Sequence, residues 1–167
     1  MKKFLVLSLT IILSISITAC STDGGVQTVS NNQSNSNSTA GLPVVTGAAG
    51  AEPVITPPVG TPPTTMQTKD LIVGTGDLVL ATSTLTVHYV LMAWSTGKVV
   101  ESSWSGAPAT FPLSGVITGW QEGMPGMKAG GRRLLVLPPD KAYGAAGGGP
   151  IGPNETLVFV VDVISIS

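Results

Sequence analysis

Val116-Ile117-Thr118-Gly119-Trp120-Gln121-Glu122-Gly123-Met124 is the stretch from which the rest of the fold can be worked out. It predicts a brief helix, because Thr118 and Gln121 have the spacing of a capping box and Pro125 prevents continuation. Two glycines inside the stretch lower its helix propensity. The helix therefore needs support from outside, most simply from the face of a sheet. It would present an apolar cup with a flat aromatic floor, made by Val116, Ile117 and Trp120.

The segments on either side of this helix predict strands. Period-two alternation and turn signals place them at 71–73, 84–94, 98–101, 111–113, 132–137 and 156–166. This pattern predicts an α+β domain over residues 67–167, in which a twisted antiparallel β-sheet of about five or six strands wraps around one short α-helix. Because one helix covers only one face of a sheet, the other face is expected to be polar or wet.

The first 19 residues predict a secretory signal peptide, since Lys2 and Lys3 precede an apolar run from Phe4 to Ile17. The small residues that follow, ending at Cys20, resemble a bacterial lipoprotein signal. That resemblance implies that Cys20 becomes the lipidated first residue of the mature chain. The alternative is an ordinary signal with an incidental cysteine. Ser21 rather than Asp follows Cys20, which by resemblance to Gram-negative sorting implies the outer membrane.

Residues 20–66 predict a disordered tether between the membrane and the domain. The segment begins with a Ser/Asn tract and continues with Gly, Pro, Ala and Thr, so it carries almost no charge and no apolar period. Such a composition buries too little apolar surface to offset the entropy of ordering. A segment that binds the cell wall or a partner is the alternative.

Several chemistries are excluded by the residues present. Only 10% of the residues are charged, with net charge −1, so the basic footprint of a nucleic-acid partner is missing. One cysteine and one histidine, His88, do not make a metal site, and no cofactor motif occurs. The glycines of 144–149 lack the Lys and Ser/Thr of a phosphate loop. Asp140 and Glu101 are more simply surface residues than an acid–base pair.

Five segments, in order over 70–167, resemble the FK506-binding-protein (FKBP) type of peptidyl-prolyl cis/trans isomerase, also called rotamase. They are Val87-His88-Tyr89, Pro108-Ala109-Thr110-Phe111-Pro112-Leu113, the helix stretch 116–123, Pro139-Asp140-Lys141-Ala142-Tyr143-Gly144, and Pro153-Asn154-Glu155-Thr156-Leu157-Val158-Phe159. The resemblance implies isomerisation of Xaa-Pro bonds, a reaction in which no covalent bond is made or broken.

The same resemblance implies roles for individual residues. Trp120 would be the floor under the proline ring, Tyr143 would donate its hydroxyl to a substrate carbonyl, and the Ile117 N–H would donate to another. Ile151 would contribute to the rim. The aromatic and apolar walls would be Tyr89, Phe111, Val116, Ile117 and Phe159.

The mouth of the implied site departs from the family pattern. Val100-Glu101-Ser102-Ser103 stands where the family commonly has Phe-Asp-Ser-Ser, and the arginine that typically pairs with the aspartate is missing. Glu101 is therefore expected to point into solvent. Trp104 would refill the aromatic volume lost at Val100.

The function predicted is a peptidyl-prolyl isomerase that assists protein folding in the periplasm, lipid-anchored at the membrane of the cell envelope. Its partners would be proline-containing polypeptides and FK506-type macrolides, and the chain would be a monomer. The alternative, motivated by the altered mouth, is a catalytically weak binding or chaperone module with the same fold.

Overall fold

The structure, a computed structural model, describes residues 41–167. The predicted signal peptide, Cys20 and the first part of the predicted tether lie outside the described residues. The domain predicted at 67–167 and the remainder of the tether, residues 41–66, can be compared with the structure. We call residues 41–66 the strap.

The described chain forms eight strands and one α-helix. The strap carries the short strands β1 (Val45–Thr46) and β2 (Val54–Ile55), which pair with each other in a separate two-stranded sheet. The main sheet contains β3 (Gln67–Ile72), β4 (Thr84–Ala93), β5 (Lys98–Ser102), β6 (Ala109–Pro112), β7 (Arg132–Leu137) and β8 (Leu157–Ile166). Helix α1 is Thr118–Gly123, between β6 and β7.

The main sheet is antiparallel, with order β3-β7-β8-β4-β5 and with β6 also paired to β4. Strand β4 is long enough to pair with β5 through one half and β6 through the other, since Val90–Ala93 face β5 and Thr84–Val87 face β6. The predicted α+β architecture, a six-stranded antiparallel sheet with one short helix, is confirmed.

Helix α1 packs so closely on the sheet that only glycine fits at two of its positions. A side chain at Gly119 would bring its Cβ to 2.5 Å from Leu137 Cδ1, and one at Gly123 to 2.7 Å from Leu135 Cδ2. The residues that weaken the isolated helix therefore permit its close approach to β7. The predicted capping box is wrong: Ile117 is the N-cap without a side-chain cap, and Gln121 Nε2 instead donates to the Val116 carbonyl at 2.7 Å.

The two faces of the sheet are both apolar. The helix-side face carries Leu85, Val87 and Leu91 from β4, together with the predicted inward set of β8, Leu157, Phe159, Val161 and Val163. The opposite face carries a second buried cluster, formed by Val90, Met92, Trp94, Leu134, Val136, Val158 and Val160. The expectation of a polar or wet second face is therefore wrong, because alternate residues of the central strands are apolar as well.

The strap covers this second face. Ile55 is buried within its cluster, and Leu42 and Val45 pack against the same cluster. Trp94 Nε1 donates a hydrogen bond to the Gly60 carbonyl at 3.1 Å. The prediction of disorder is therefore wrong for residues 41–66. Their few apolar side chains are enough to order the segment, because they pack on the apolar surface that the sheet already presents.

A buried arginine connects the strap to the sheet. The Arg132 side chain is 2% exposed and pairs with Asp162 at 2.8 Å. Its Nη1 donates to the Gly47 carbonyl at 3.2 Å, and its Nη2 also donates to the Ala51 carbonyl at 2.6 Å. Burial raises the pKa of the Asp162 carboxyl, and the bond from Arg132 opposes that rise. The strap thus supplies acceptors that a buried guanidinium needs.

Within residues 41–167 no helix is both long and apolar enough to cross a membrane. The strap and the main sheet belong to one compact unit of the chain.

Candidate active site

A cavity of about 350 Å³ opens on the helix side of the sheet. Its wall comes from β4, β5, β6, β8, the start of α1 and the segment before residue 144. The lining residues are Tyr89, Leu91, Glu101, Phe111, Gly115, Val116, Ile117, Trp120, Tyr143 and Phe159. The volume lies in the range of small-molecule sites, and most of the lining side chains are apolar or aromatic.

The floor of the cavity is the indole of Trp120, which is only 4% exposed. Three aromatic rings contact this indole nearly at right angles. The distances between ring centroids are 5.4 Å for Phe159, 5.8 Å for Tyr89 and 6.2 Å for Phe111, and the angles between ring planes are 83°, 86° and 87°. Edge-to-face contacts of this kind are favourable for aromatic pairs. They fix the plane of the indole, so that the floor is formed before any ligand arrives.

The pairing of the strands brings these rings together from distant parts of the sequence. Leu91 lies opposite Phe159, which puts Tyr89 and Phe159 diagonally across β4 and β8 on the same face. Leu85 lies opposite Phe111, so the β6 ring enters from the other edge of β4. Helix α1 then places Trp120 over all three.

Tyr89 and Glu101 form the one strongly polar contact of the cavity wall. The Tyr89 hydroxyl donates to Glu101 Oε1 at 2.5 Å. Burial, followed by this hydrogen bond and the negative charge of Glu101, raises the pKa of Tyr89 above its ordinary value of 10.0. The hydroxyl is therefore a neutral donor throughout the physiological range. Glu101 is solvent-exposed, as expected, but it also lines the cavity, where its carboxylate accepts the Tyr89 hydroxyl.

Tyr143 stands at the mouth and is 42% exposed. Its ring lies against Gly148, where an added Cβ would be 3.1 Å from Tyr143 Cδ1. We call residues 144–153 the rim loop. Gly148 and Ile151 exchange two backbone hydrogen bonds of 2.9 Å within it, so this loop closes on itself and supports the tyrosine ring from the side.

The start of α1 forms the wall opposite the strands. Ile117 is extended, with φ −59° and ψ 151°, and its carbonyl accepts from Trp120 N at 2.9 Å. The contact of Gln121 with the Val116 carbonyl holds the chain just before the helix. Both Val116 and Ile117 are consequently presented to the cavity by a fixed backbone.

Eight of the ten pocket residues named from the sequence line the cavity, namely Tyr89, Glu101, Phe111, Val116, Ile117, Trp120, Tyr143 and Phe159. Ile151 does not, because its side chain leaves the rim loop and is buried in the helix-side core. Val100 packs against that core from β5 and is also outside the lining. Sequence reasoning missed Leu91, which shares the inward alternation of β4, and Gly115, which carries no side-chain signal.

Trp104 does not replace the missing aromatic wall. It packs against the strap-side cluster and stacks on His88, with 4.3 Å between ring centroids and 19° between planes. His88 Nδ1 is also within 3.0 Å of Ser103 Oγ. The single histidine therefore has structural contacts on the face away from the cavity. Among residues 41–167 no group of three His, Cys, Asp or Glu side chains is placed to hold a metal.

Residues 77–164 match the family FKBP_C, described as FKBP-type peptidyl-prolyl cis-trans isomerase. The chain belongs to this family. It is 47% identical over 115 residues to the "Probable FK506-binding protein" of Corynebacterium glutamicum, covering 68% of this chain and 98% of that protein. The predicted family, fold and enzyme class are thereby confirmed.

Two further relatives are proteins of which this FKBP matches only a part. The crystal structure of FkpA from Escherichia coli matches with a TM-score of 0.58 and 38% identity, over 61% of this chain and 48% of that chain. The "Outer membrane protein MIP" of Legionella longbeachae is 42% identical over 106 residues, which cover 62% of this chain and 45% of that protein. This FKBP spans about half the length of each.

The FKBP matches decide between the two functions predicted from the sequence. Homologues named peptidyl-prolyl cis-trans isomerases favour an enzyme acting on proline-containing polypeptides and assisting their folding. The alternative, a binding module without catalysis, is not favoured.

Proposed function

We propose that the cavity over Trp120 is where the Xaa-Pro bond is isomerised. The prolyl ring lies on the Trp120 indole, and Tyr89, Phe111 and Phe159 surround it. The single observation that carries this proposal is the open cavity of about 350 Å³ above an indole whose plane is held by three rings. An enzyme without this use for the cavity would gain stability from filling it.

The proposed mechanism follows from the electronic structure of the amide. Rotation about a peptide bond has a barrier of about 18–20 kcal/mol, because resonance holds the group planar. A twisted amide loses that resonance and its charge separation, so it is less polar than the planar form. An apolar, aromatic cavity disfavours the planar ground state relative to the twisted transition state, which is the differential binding that catalysis needs.

Two donors hold the substrate chain while the bond rotates. The Tyr143 hydroxyl has no hydrogen-bond partner within residues 41–167 and stands at the mouth, which supports its donating to a substrate carbonyl. The Ile117 N–H, beside the cavity at the start of α1, donates to another carbonyl. The Tyr89 hydroxyl is already committed to Glu101, so it acts as a wall.

Removing the floor tests this proposal. Trp120→Ala should lower kcat/KM for an Ala-Xaa-Pro-Phe peptide on the order of tenfold or more, equivalent to about 1.4 kcal/mol of transition-state binding. Tyr143→Phe removes one hydrogen bond and should lower it roughly fivefold. Trp104→Ala is the matched control, because it removes an indole from the opposite face.

The three variants should keep the far-ultraviolet circular dichroism of the parent. Unchanged kcat/KM in a folded Trp120→Ala protein would show that isomerisation takes place elsewhere. An FK506-type macrolide, which we propose binds in the same cavity, should inhibit the parent and the Trp104→Ala protein alike.

We further propose that the protein is a lipoprotein of the cell envelope, attached through Cys20 after removal of residues 1–19, and exposed to the periplasm at the outer membrane. The signal-like segment and the small residues before the single cysteine support this location. The relative named "Outer membrane protein MIP" adds support. The substrates would then be proteins that fold outside the cytoplasm.

A further inference from the structure

Glu101 is the one charged side chain in the cavity lining. The remaining lining residues carry no formal charge at neutral pH, and neither lysine nor arginine nor histidine is among them. A lone carboxylate beside apolar walls creates a negative potential that no lining cation cancels.

The bonding of Glu101 leaves this charge available. Its Oε1 accepts from the Tyr89 hydroxyl, a neutral donor. The ion pairs found within residues 41–167 join other acids, Arg132 with Asp162, Arg133 with Asp70 and Lys141 with Glu122. Glu101 is thus positioned by a hydrogen bond while its charge stays uncompensated.

The charged residues near Tyr143 do not reverse the negative potential that Glu101 creates. Lys141, two residues before Tyr143, is held by Glu122 at 2.8 Å. The hydrogen bond to Glu122, and after it the charges of Glu122 and the adjacent Asp140, raise the pKa of Lys141. The Asp140 carboxylate on this segment and the Glu122 carboxylate on α1 therefore outnumber the single ammonium group of Lys141.

We propose that Glu101 determines substrate specificity, favouring peptides with a lysine or arginine directly before the proline. The inference rests on the proposed function, because it takes the cavity over Trp120 as the substrate site. A cationic side chain next to the prolyl ring can reach the carboxylate that Tyr89 holds in place. An acidic side chain at the same position is repelled.

The size of the effect follows from the exposure of Glu101. The residue is solvent-exposed at the cavity mouth, so water and salt weaken the attraction. Exposed ion pairs of this kind correspond to roughly a twofold to fivefold preference. The preference should disappear at high salt, which separates it from shape recognition.

The experiment compares capped Ala-Xaa-Pro-Phe peptides in which Xaa is lysine, its uncharged analogue norleucine, or glutamate. Exchange between cis and trans forms is measured by NMR on the full-length protein, so that no helper protease adds its own preference. Glu101→Gln keeps an oxygen acceptor for Tyr89 and removes the charge. Glu155→Gln is the matched control, since Glu155 lies outside the cavity lining and bonds to Ser95.

In the parent, kcat/KM for the lysine peptide should exceed that for the norleucine peptide roughly threefold at low salt, with glutamate lowest. Glu101→Gln should bring the three values together, and Glu155→Gln should leave their order unchanged. Equal values in the parent, or a preference that survives Glu101→Gln, would overturn the inference.

The same peptides keep the two proposals apart. Turnover of the norleucine peptide that is lost in Trp120→Ala supports the cavity as the site, whatever the charge preference. A charge preference that Glu155→Gln removes as fully as Glu101→Gln would assign it to the net charge of the molecule, and would also overturn the inference.

Discussion

At the scale of single residues, the contact between Tyr89 and Glu101 shows how a substitution can keep one function and change another. Glutamate is longer than the aspartate common in the family, yet it still accepts the Tyr89 hydroxyl. Tyr89 also contacts Trp120 edge to face. One side chain therefore holds the floor of the cavity and the carboxylate at its mouth.

The proton of Tyr89 gives a prediction at this scale. The chain has two tyrosines, so a Tyr143→Phe variant leaves Tyr89 as the only phenol that can be titrated by ultraviolet absorbance. Its midpoint should lie above the ordinary 10.0, because burial and Glu101 raise the pKa of Tyr89. Adding Glu101→Gln should lower the midpoint toward 10.0 without reaching it, since burial is the largest cause.

The same pKa shift fixes the sign of a stability change. Above pH 10 the unfolded chain releases this proton more readily than the folded protein, so the free energy of unfolding should fall as the pH rises. Below pH 10 the contribution is fully present. A midpoint at or below 10.0 in the Tyr143→Phe protein would contradict the buried, hydrogen-bonded geometry of Tyr89.

At the scale of elements, the strap is the part of the fold that amino-acid composition did not predict. Its apolar residues are few and lie between prolines and glycines, but Ile55 enters the cluster on the second face of the sheet. Arg132 and Trp94 add hydrogen bonds to its carbonyls. The strap is consequently a third layer of the domain.

Two neighbouring residues of β2 test this role of the strap. Ile55 is 5% exposed and Val54 is 64% exposed. Ile55→Ala in the full-length protein should lower the free energy of unfolding by about 2–4 kcal/mol, whereas Val54→Ala should change it by less than about 0.5 kcal/mol. Urea unfolding followed by circular dichroism measures both.

Isomerase activity separates stability from function in this pair of variants. Both should retain the kcat/KM of the parent below their unfolding transitions, because the strap covers the face opposite the cavity. Equal and small losses of stability in the two variants would mean that the strap does not pack on the sheet in solution.

At the scale of the whole molecule, the two faces of the sheet have separate uses. The helix side is hollowed over Trp120, and the other side is closed by the strap. The first described residues, from 41 onward, therefore pack on the face away from the cavity.

Attachment itself is tested at Cys20. Cys20→Ala should move the protein from the membrane fraction to the soluble fraction, because several acyl chains together anchor stably and none would remain. Fractionation followed by immunoblotting measures the shift, and Ser21→Ala is the control that keeps the cysteine. A Cys20→Ala protein that stays with the membrane would contradict lipid anchoring.

The sequence by itself determined the strands, the place of the helix and most of the cavity lining. The strands and the helix follow from local signals, namely alternation in β4 and β8 and a proline after the helix. The lining residues follow from the resemblance of five segments to the FKBP family. The glycines of α1 also predicted outside support, and Leu135 and Leu137 supply it.

Only the tertiary structure decided that the strap is ordered, that Tyr89 bonds to Glu101, and that Ile151 is buried. The physical reason is common to all three. Each depends on a partner on another element of the fold: an apolar sheet face for Ile55, a phenol on another strand for Glu101, and the helix-side core for Ile151. Periodicity reports which side of its own element a residue occupies, but not what the rest of the chain brings to that side.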